Sequence, residues 1–311
     1  MNEKELIQTL IAKLPRNQNT ILGPGDDCAV VCPPSEGESL LLKTDAIVES
    51  VHFSRDDRPE LVGRKALARC LSDVAAMGGV PDSALITVGF PEGGDEIYLE
   101  KVYDGAAALA EEFDVAIVGG EMTRSPGGLM LSVSLTGRVA RDGEVRRSGA
   151  KVGDAVLVSG SLGGSRSGHH LEFVPRLREA RWLVENFEIR SMIDVSDGLA
   201  SDLGHITRES KVGALIDEAY LPISRAAKLR SRENEGAKTP LLAALTDGED
   251  FELLFTISPR SAVKLKDSWR KTFPEVPLSV IGRIETELGL RLKQATGIRS
   301  LGGVDGFDHF Q

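Results

Sequence analysis

The chain has 311 residues, 41% of them hydrophobic and 27% charged, a composition that fits a globular protein with room for two ordinary domains. A formal net charge of −10 argues against nucleic acid as the main partner, because phosphate backbones attract basic faces. No apolar run is long enough to span a bilayer, and Met1-Asn2-Glu3-Lys4-Glu5 carries no apolar signal region, so a cytoplasmic protein is expected.

Residues 3–14 read as an amphipathic helix, with Leu6, Ile7, Leu10, Ile11 and Leu14 on one side. Gly23-Pro24-Gly25-Asp26-Asp27 then forces a tight turn into a short strand. Taken alone, it reads equally as a polar hairpin turn. Cys28, Cys32 and Cys70 are odd in number and lack CxxC spacing, which points to reduced thiols rather than a disulfide frame. Ser39–Lys43 reads as a short strand that ends at Thr44-Asp45, followed by His52 in Val51-His52-Phe53. Leu61–Met77 reads as a long helix closed by Gly78-Gly79, with Asp73 in an otherwise apolar stretch. A carboxylate there needs a partner if buried, and a cation would supply one.

Ser83–Phe90 is a predicted strand and Asp95–Glu112 a helix containing Tyr103. Asp114–Val118 reads as a strand that ends in Gly119-Gly120-Glu121-Met122-Thr123-Arg124, and Leu129–Val139 alternates as a strand with one partly solvated face. A basic loop at Arg146–Asp154 suggests a boundary, giving domains 1–140 and 141–311. Ser159–Gly168 is glycine-rich but lacks the GKS/GKT ending of a P-loop, so a flexible loop is the better reading than a phosphate cradle.

Three carboxylates lie within nine residues at Ile193-Asp194-Val195-Ser196-Asp197-Gly198-Leu199 with Asp202 beyond, a short buried strand running into a helix. Backbone N–H groups and the helix dipole favour anions at such a turn. Ser196 or Asp197 as a helix cap is the plainer reading for a single residue. A similar turn, Asp247-Gly248-Glu249-Asp250-Phe251, follows near a strand, after a charged linker at 231–238. Residues 260–273 read as a helix, and Ser279–Ile284 and Gly289–Leu292 as strands. Acidic turns at strand ends in both halves suggest two related α/β folds. Oxygen donors without clustered His or Cys suit hard cations, Mg²⁺ above all, and Mg²⁺ with a nucleotide triphosphate would neutralise the set.

The residues quoted above, with Lys65-Ala66-Leu67-Ala68, Leu71-Ser72-Asp73-Val74-Ala75-Ala76-Met77-Gly78, Arg147-Ser148-Gly149-Ala150-Lys151 and Gly248–Leu253, closely resemble the thiamine-monophosphate kinase family. The matches run in order over nearly the whole chain. The resemblance implies an α/β (α+β) two-domain fold of the aminoimidazole-ribonucleotide-synthetase-like superfamily, with the N-terminal sheet at the core of a homodimer. It implies phosphorylation of thiamine phosphate to thiamine diphosphate with ATP and Mg²⁺. By position it assigns Asp27, Thr44, Asp45, Asp73, Glu121, Asp194 and Asp197 to Mg²⁺, with Asp45, Asp73 and Asp197 central to catalysis. Tyr103, Gly120, Glu121, Arg147 and Ser196 fall to ATP, and His52, Glu249 and Phe307 to thiamine phosphate.

Three features depart from the family pattern: Glu121 stands where Asp is usual, Asp247-Gly248-Glu249-Asp250-Phe251 stands where Gly-Gly-Glu-Asp-Tyr is usual, and the segment between Gly168 and Pro175 is short. Two alternatives stay open on this basis. One is an ATP-dependent synthetase of the same superfamily, and the other a non-catalytic nucleotide or metal sensor, which the change at Glu121 favours.

Overall fold

A computed structural model describes residues 20–22, 26, 29–31, 36–303 and 306. The expected helix at 3–14, Asp27, Cys28, Cys32 and Phe307 lie outside the described residues. The chain divides into two compact units. The first takes residues 18–144 and Leu171–Leu177; the second takes Val145–His170 and Arg178–Gln311.

The first unit is a six-stranded sheet in the order β1-β2-β3-β6-β4-β5, with β1 Thr20–Leu22, β2 Ala29–Val31, β3 Glu38–Val48, β4 Val80–Pro91, β5 Ala116–Ser125 and β6 Met130–Ala140. All pairs are antiparallel except β4–β5, which the helix α2 (Glu96–Glu112) connects. Asp95 starts α2 by accepting hydrogen bonds from the N–H groups of Ile97 and Tyr98. Helix α1 (Pro59–Ala76) lies beside it, and glycines permit the approach. A Cβ on Gly63 would sit 1.7 Å from the carbonyl oxygen of Val102, and one on Gly105 1.8 Å from that of Glu60. Leu67, Leu71 and Val74 of α1 and Ile86, Leu131 and Val133 of the sheet are buried.

Two expectations are corrected here. β3 does not end at Thr44-Asp45, because it pairs with β6 without a break from Glu38↔Ala140 to Val48↔Met130. β5 does not end at Gly119, because it continues to Ser125 after a bulge where Gly119 takes φ 157°. Polar residues hid both continuations from a reading based on apolar runs.

The second unit is a seven-stranded sheet in the order β13-β12-β9-β11-β7-β10-β8. Its strands are β7 Ala155–Ser159, β8 Ser191–Asp194, β9 Gly213–Asp217, β10 Leu253–Ile257, β11 Leu278–Glu285, β12 Gly289–Gln294 and β13 Gly297–Ser300. The strands β7 and β10 and the edge strand β8 are buried along their whole length. Helix α3 (His169–Glu172) and helix α4 (Leu177–Asn186) fill the stretch after the glycine-rich loop. Then come α5 (Leu199–Ser210), α6 (Arg225–Glu233), α7 (Pro240–Thr246) and α8 (Pro259–Thr272). Thr239 and Ser258 cap α7 and α8, each followed by a proline at the first helical position. Leu199, Leu203 and Ile206 of α5 pack into a core with Val156, Ile193, Ile216 and Leu254. Part of the expected linker 231–238 is thus the end of α6, and α4 and β13 were not expected from the sequence.

Candidate active site

In the first unit, β3 sends Lys43 and Asp45 to the side covered by α1. The same strand leaves Thr44 exposed on the other face, as a period of two requires. Lys43 Nζ lies 2.9 Å from Asp73 Oδ2, and Arg69 Nε lies 3.1 Å from Asp45 Oδ2. Asp45 Oδ1 also accepts the N–H of Ala46 at 2.7 Å. Burial opposes ionisation of Asp45, but the charges of Arg69 and Lys43 outweigh it and hold the carboxyl below its ordinary range. Burial likewise works against the Lys43 charge, and Asp73 and Asp45 more than offset it, raising Lys43 above its ordinary value. The buried Asp73 therefore has the cationic partner that its surroundings demand, and that partner is a lysine of the chain itself.

Next to this group, His52 is held from two sides. Its Nδ1 accepts the N–H of Val48 at 3.1 Å, so the neutral ring carries its proton on Nε2. The fully buried Lys65 donates to the His52 carbonyl at 2.6 Å. Thr44 accepts a hydrogen bond from Ser134 at 3.3 Å. Tyr103 lies half-buried in α2, and burial raises its hydroxyl above the ordinary value. Gly120 and Glu121 are exposed on β5, and β6 and β4 separate them from β3. Three strand spacings, about 14 Å, therefore lie between Asp45 and Glu121 within one unit. Gly120 is obligatory, since a Cβ there would meet the Ile86 carbonyl oxygen at 1.9 Å.

In the second unit, the two acidic turns form one structure. Val195 N–H donates to the Glu252 carbonyl, Phe251 N–H to Val195 and Glu249 N–H to Ser196, at 2.7–2.8 Å. Gly248 makes this possible: its φ is 70°, and a Cβ would meet the Ser196 carbonyl oxygen at 2.5 Å. Glu249 (φ 55°) and Phe251 (φ 50°) take left-handed backbone that non-glycine residues rarely adopt, a strain often stored at working sites. The glycine-rich loop clamps this turn. Gly163 N–H donates to both Asp250 oxygens at 3.0 and 2.9 Å, Gly164 N–H to Asp247 at 3.0 Å, and Ser159 Oγ to Glu252 at 2.6 Å. The N–H groups at Gly163 and Gly164 serve carboxylates and so are not offered to a phosphate. Glu249 is half-buried, with Arg166 Nε at 4.0 Å.

Asp194 ends β8, and Ser196 and Asp197 follow in the turn before α5. The capping reading of Ser196 and Asp197 is corrected: Gly198, at φ 106°, is the N-cap and no side-chain cap bond forms. Instead Asp202 reaches back from α5 and accepts the N–H of Asp197 at 3.1 Å. Asp197, Asp202 and His205 offer ligand atoms all within 4.8 Å of one another. Burial, then the charges of Asp197 and Asp194, push the Asp202 carboxyl well above its ordinary range. Arg147 opposes that shift electrostatically, and its carbonyl accepts from Ser210, which also takes the N–H groups of Gly149 and Ala150. Crowded carboxylate oxygens of this kind fit a hard divalent cation in both charge and donor type.

The structure thus joins Asp45 with Asp73, and Asp194, Ser196 and Asp197 with the Glu249 turn. Lys43, Arg69 and His205 were given no part in the site from the sequence, and Lys65, Asp202 and Asp250 were quoted in motifs without a role of their own. A signal existed for the first two, since Lys43 stands two residues before Asp45 on a strand and Arg69 four before Asp73 on a helix.

Residues 25–139 match the family model described as AIR synthase related protein, N-terminal domain. The chain is 38% identical over 284 residues to the thiamine-monophosphate kinase of Rhodopirellula baltica, covering 88% of this chain and 87% of that protein. It is 36% identical over 285 residues to the thiamine-monophosphate kinase of Aquifex aeolicus, covering 86% and 87% respectively. A solved structure of AaThiL complexed with AMPPCP and TMP is similar at a TM-score of 0.80 and 33% identity, over 94% of this chain and 93% of that one.

Proposed function

The chain belongs to the thiamine-monophosphate kinase family, and from that premise we propose how its own residues serve the transfer of a phosphoryl group from ATP to thiamine phosphate. An oxygen of the acceptor phosphate attacks the γ-phosphorus, the bond to the β–γ bridging oxygen breaks, and thiamine diphosphate and ADP result. Such a transfer needs positioning and charge neutralisation more than a covalent nucleophile. The observation that carries the reading is the similarity, over nearly the whole chain, to a structure holding both AMPPCP and TMP.

Mg²⁺ is the cation proposed for the acids, because their donors are carboxylate oxygens and Asp202 is crowded by like charge. Asp194 and Asp197 are proposed as Mg²⁺ donors in the second unit, and Asp27, Thr44, Asp45, Asp73 and Glu121 as Mg²⁺ donors in the first. When bound, it neutralises the phosphate oxygens during transfer. Arg147, Ser196, Tyr103 and Gly120 are proposed to contact ATP. His52 and Glu249 are proposed to face the thiamine phosphate, Glu249 as a carboxylate suited to the cationic thiazolium, and Phe307 suits stacking on a ring.

A homodimer is proposed through the edge strand β5. Almost all of β5 is exposed, and Val118, Met122 and the neighbouring Leu85 stand 62%, 56% and 47% exposed. A second copy would cover that surface, and it offers a reason for Glu121 lying far from Asp45 in a single chain. ATP as donor supports a cytoplasmic setting; among the described residues no helix is long and apolar enough to cross a membrane.

Incubation with ATP, Mg²⁺ and thiamine phosphate tests the activity. Equimolar thiamine diphosphate and ADP are expected. Tight binding of nucleotide with no product would overturn the kinase reading in favour of a sensor.

A further inference from the structure

The acids of β3 and α1 already face two cations of the chain. Lys43 and Asp45 lie two apart on β3, and Arg69 and Asp73 one helical turn apart on α1. Lys43 pairs with Asp73 at 2.9 Å and Arg69 with Asp45 at 3.1 Å, so four charges sum to zero between one strand and one helix. The side chains of Lys43 and Asp73 are 20% and 11% exposed, which removes the pair from the class of solvated surface ion pairs. An ammonium offers three donors and one positive charge in about the space of a bound cation. It cannot draw phosphate oxygens together as a divalent ion does, but it satisfies a carboxylate in the same way.

We propose that Lys43 is a resident counter-ion of the Asp45–Asp73 pair, filling one cation position so that the chain takes up one divalent ion fewer than it would with a neutral residue at 43. The ammonium keeps the two acids together before any metal arrives. The inference rests on the proposed reading of Asp45 and Asp73 as metal ligands. Its consequence is that part of the positive charge facing these two acids is built into the strand.

The test counts bound Mn²⁺ on the full-length protein saturated with AMPPCP, by the electron paramagnetic resonance signal of the free ion. Melting is followed alongside, in EDTA and in excess Mn²⁺. Lys43→Met is expected to bind one more Mn²⁺ than the wild type. It should melt several degrees lower in EDTA and regain most of that loss when Mn²⁺ is added. Lys43→Arg should keep the wild-type count, and Lys43→Gln replaces the Met variant if that one fails to fold. An unchanged count in the neutral variant that folds, or a melting loss equal in EDTA and in Mn²⁺, overturns the resident counter-ion. A wild type that binds Mn²⁺ while the neutral variants bind no more removes Lys43 alone. If wild type and neutral variants all take up no Mn²⁺, the metal reading falls with it.

Discussion

In the first unit, Asp45 and Asp73 stand opposite Arg69 and Lys43, and Asp45 ionises more readily than an ordinary carboxyl. In the second, Asp202 is buried behind Asp197 and Asp194 and resists ionisation. One group of acids is neutralised by the chain, while in the other like charges are pressed together. The first group is charge-balanced with or without a ligand. The second costs stability until a proton or a cation arrives, so it is where binding energy from a divalent ion has most to do.

Breaking the first group should have the largest effect. Asp45→Ala leaves the Arg69 guanidinium without that carboxylate in a place where Arg69 is 14% exposed. A loss of about 3 kcal/mol in stability is expected, measured by urea unfolding, because removing one partner of a buried pair strands the other. Turnover should fall by about 100-fold or more as well, since a proposed ligand is gone. Unfolding unchanged to within experimental error would contradict the pairing.

Asp197→Asn sharpens the contrast. It should lower turnover by a similar factor, about 100-fold, with stability held or raised in EDTA, because one source of repulsion on Asp202 is removed. A large loss of stability would place Asp197 with the structural acids instead.

A smaller effect is expected from Asp202→Asn. A carboxyl whose folded value is raised keeps its proton longer in the fold than in the unfolded chain. In EDTA the wild type therefore loses stability as pH rises from about 3.9, the unfolded value, up to the raised folded value, and stays at the lower level above it. Asp202→Asn should remove that decline and gain about 1 kcal/mol at neutral pH, while below the unfolded value the two proteins converge. A pH profile that does not change on substitution would contradict the crowding.

The contrast also marks what the sequence made legible. The strand-to-helix turn at Asp194 was readable because two apolar residues precede it and Leu199, Leu203 and Ile206 repeat at helical spacing. The long helix α1 was readable for the same reason and for its glycine close. Thr44-Asp45 was misread as a strand end because charge in a strand resembles a turn; only α1, supplying Arg69 across the gap, explains why Asp45 can sit mid-strand. The glycine-rich loop at 159–168 was ambiguous because its partners, Asp247 and Asp250, lie over 80 residues away in the chain. Helix α4 was missed although Leu177, Ala180 and Leu183 are buried on one side of it, since the segment is short and charged. Local patterns thus gave the elements, and long-range pairing decided which acids are structural.

The most direct measurement is an anomalous difference map from crystals grown with AMPPCP, thiamine phosphate and Mn²⁺. Peaks within about 2.2 Å of carboxylate oxygens of Asp194 and Asp197, and bridging to the nucleotide phosphates, are expected. Nucleotide bound with no anomalous peak at either residue would contradict the assignment of these acids to the metal.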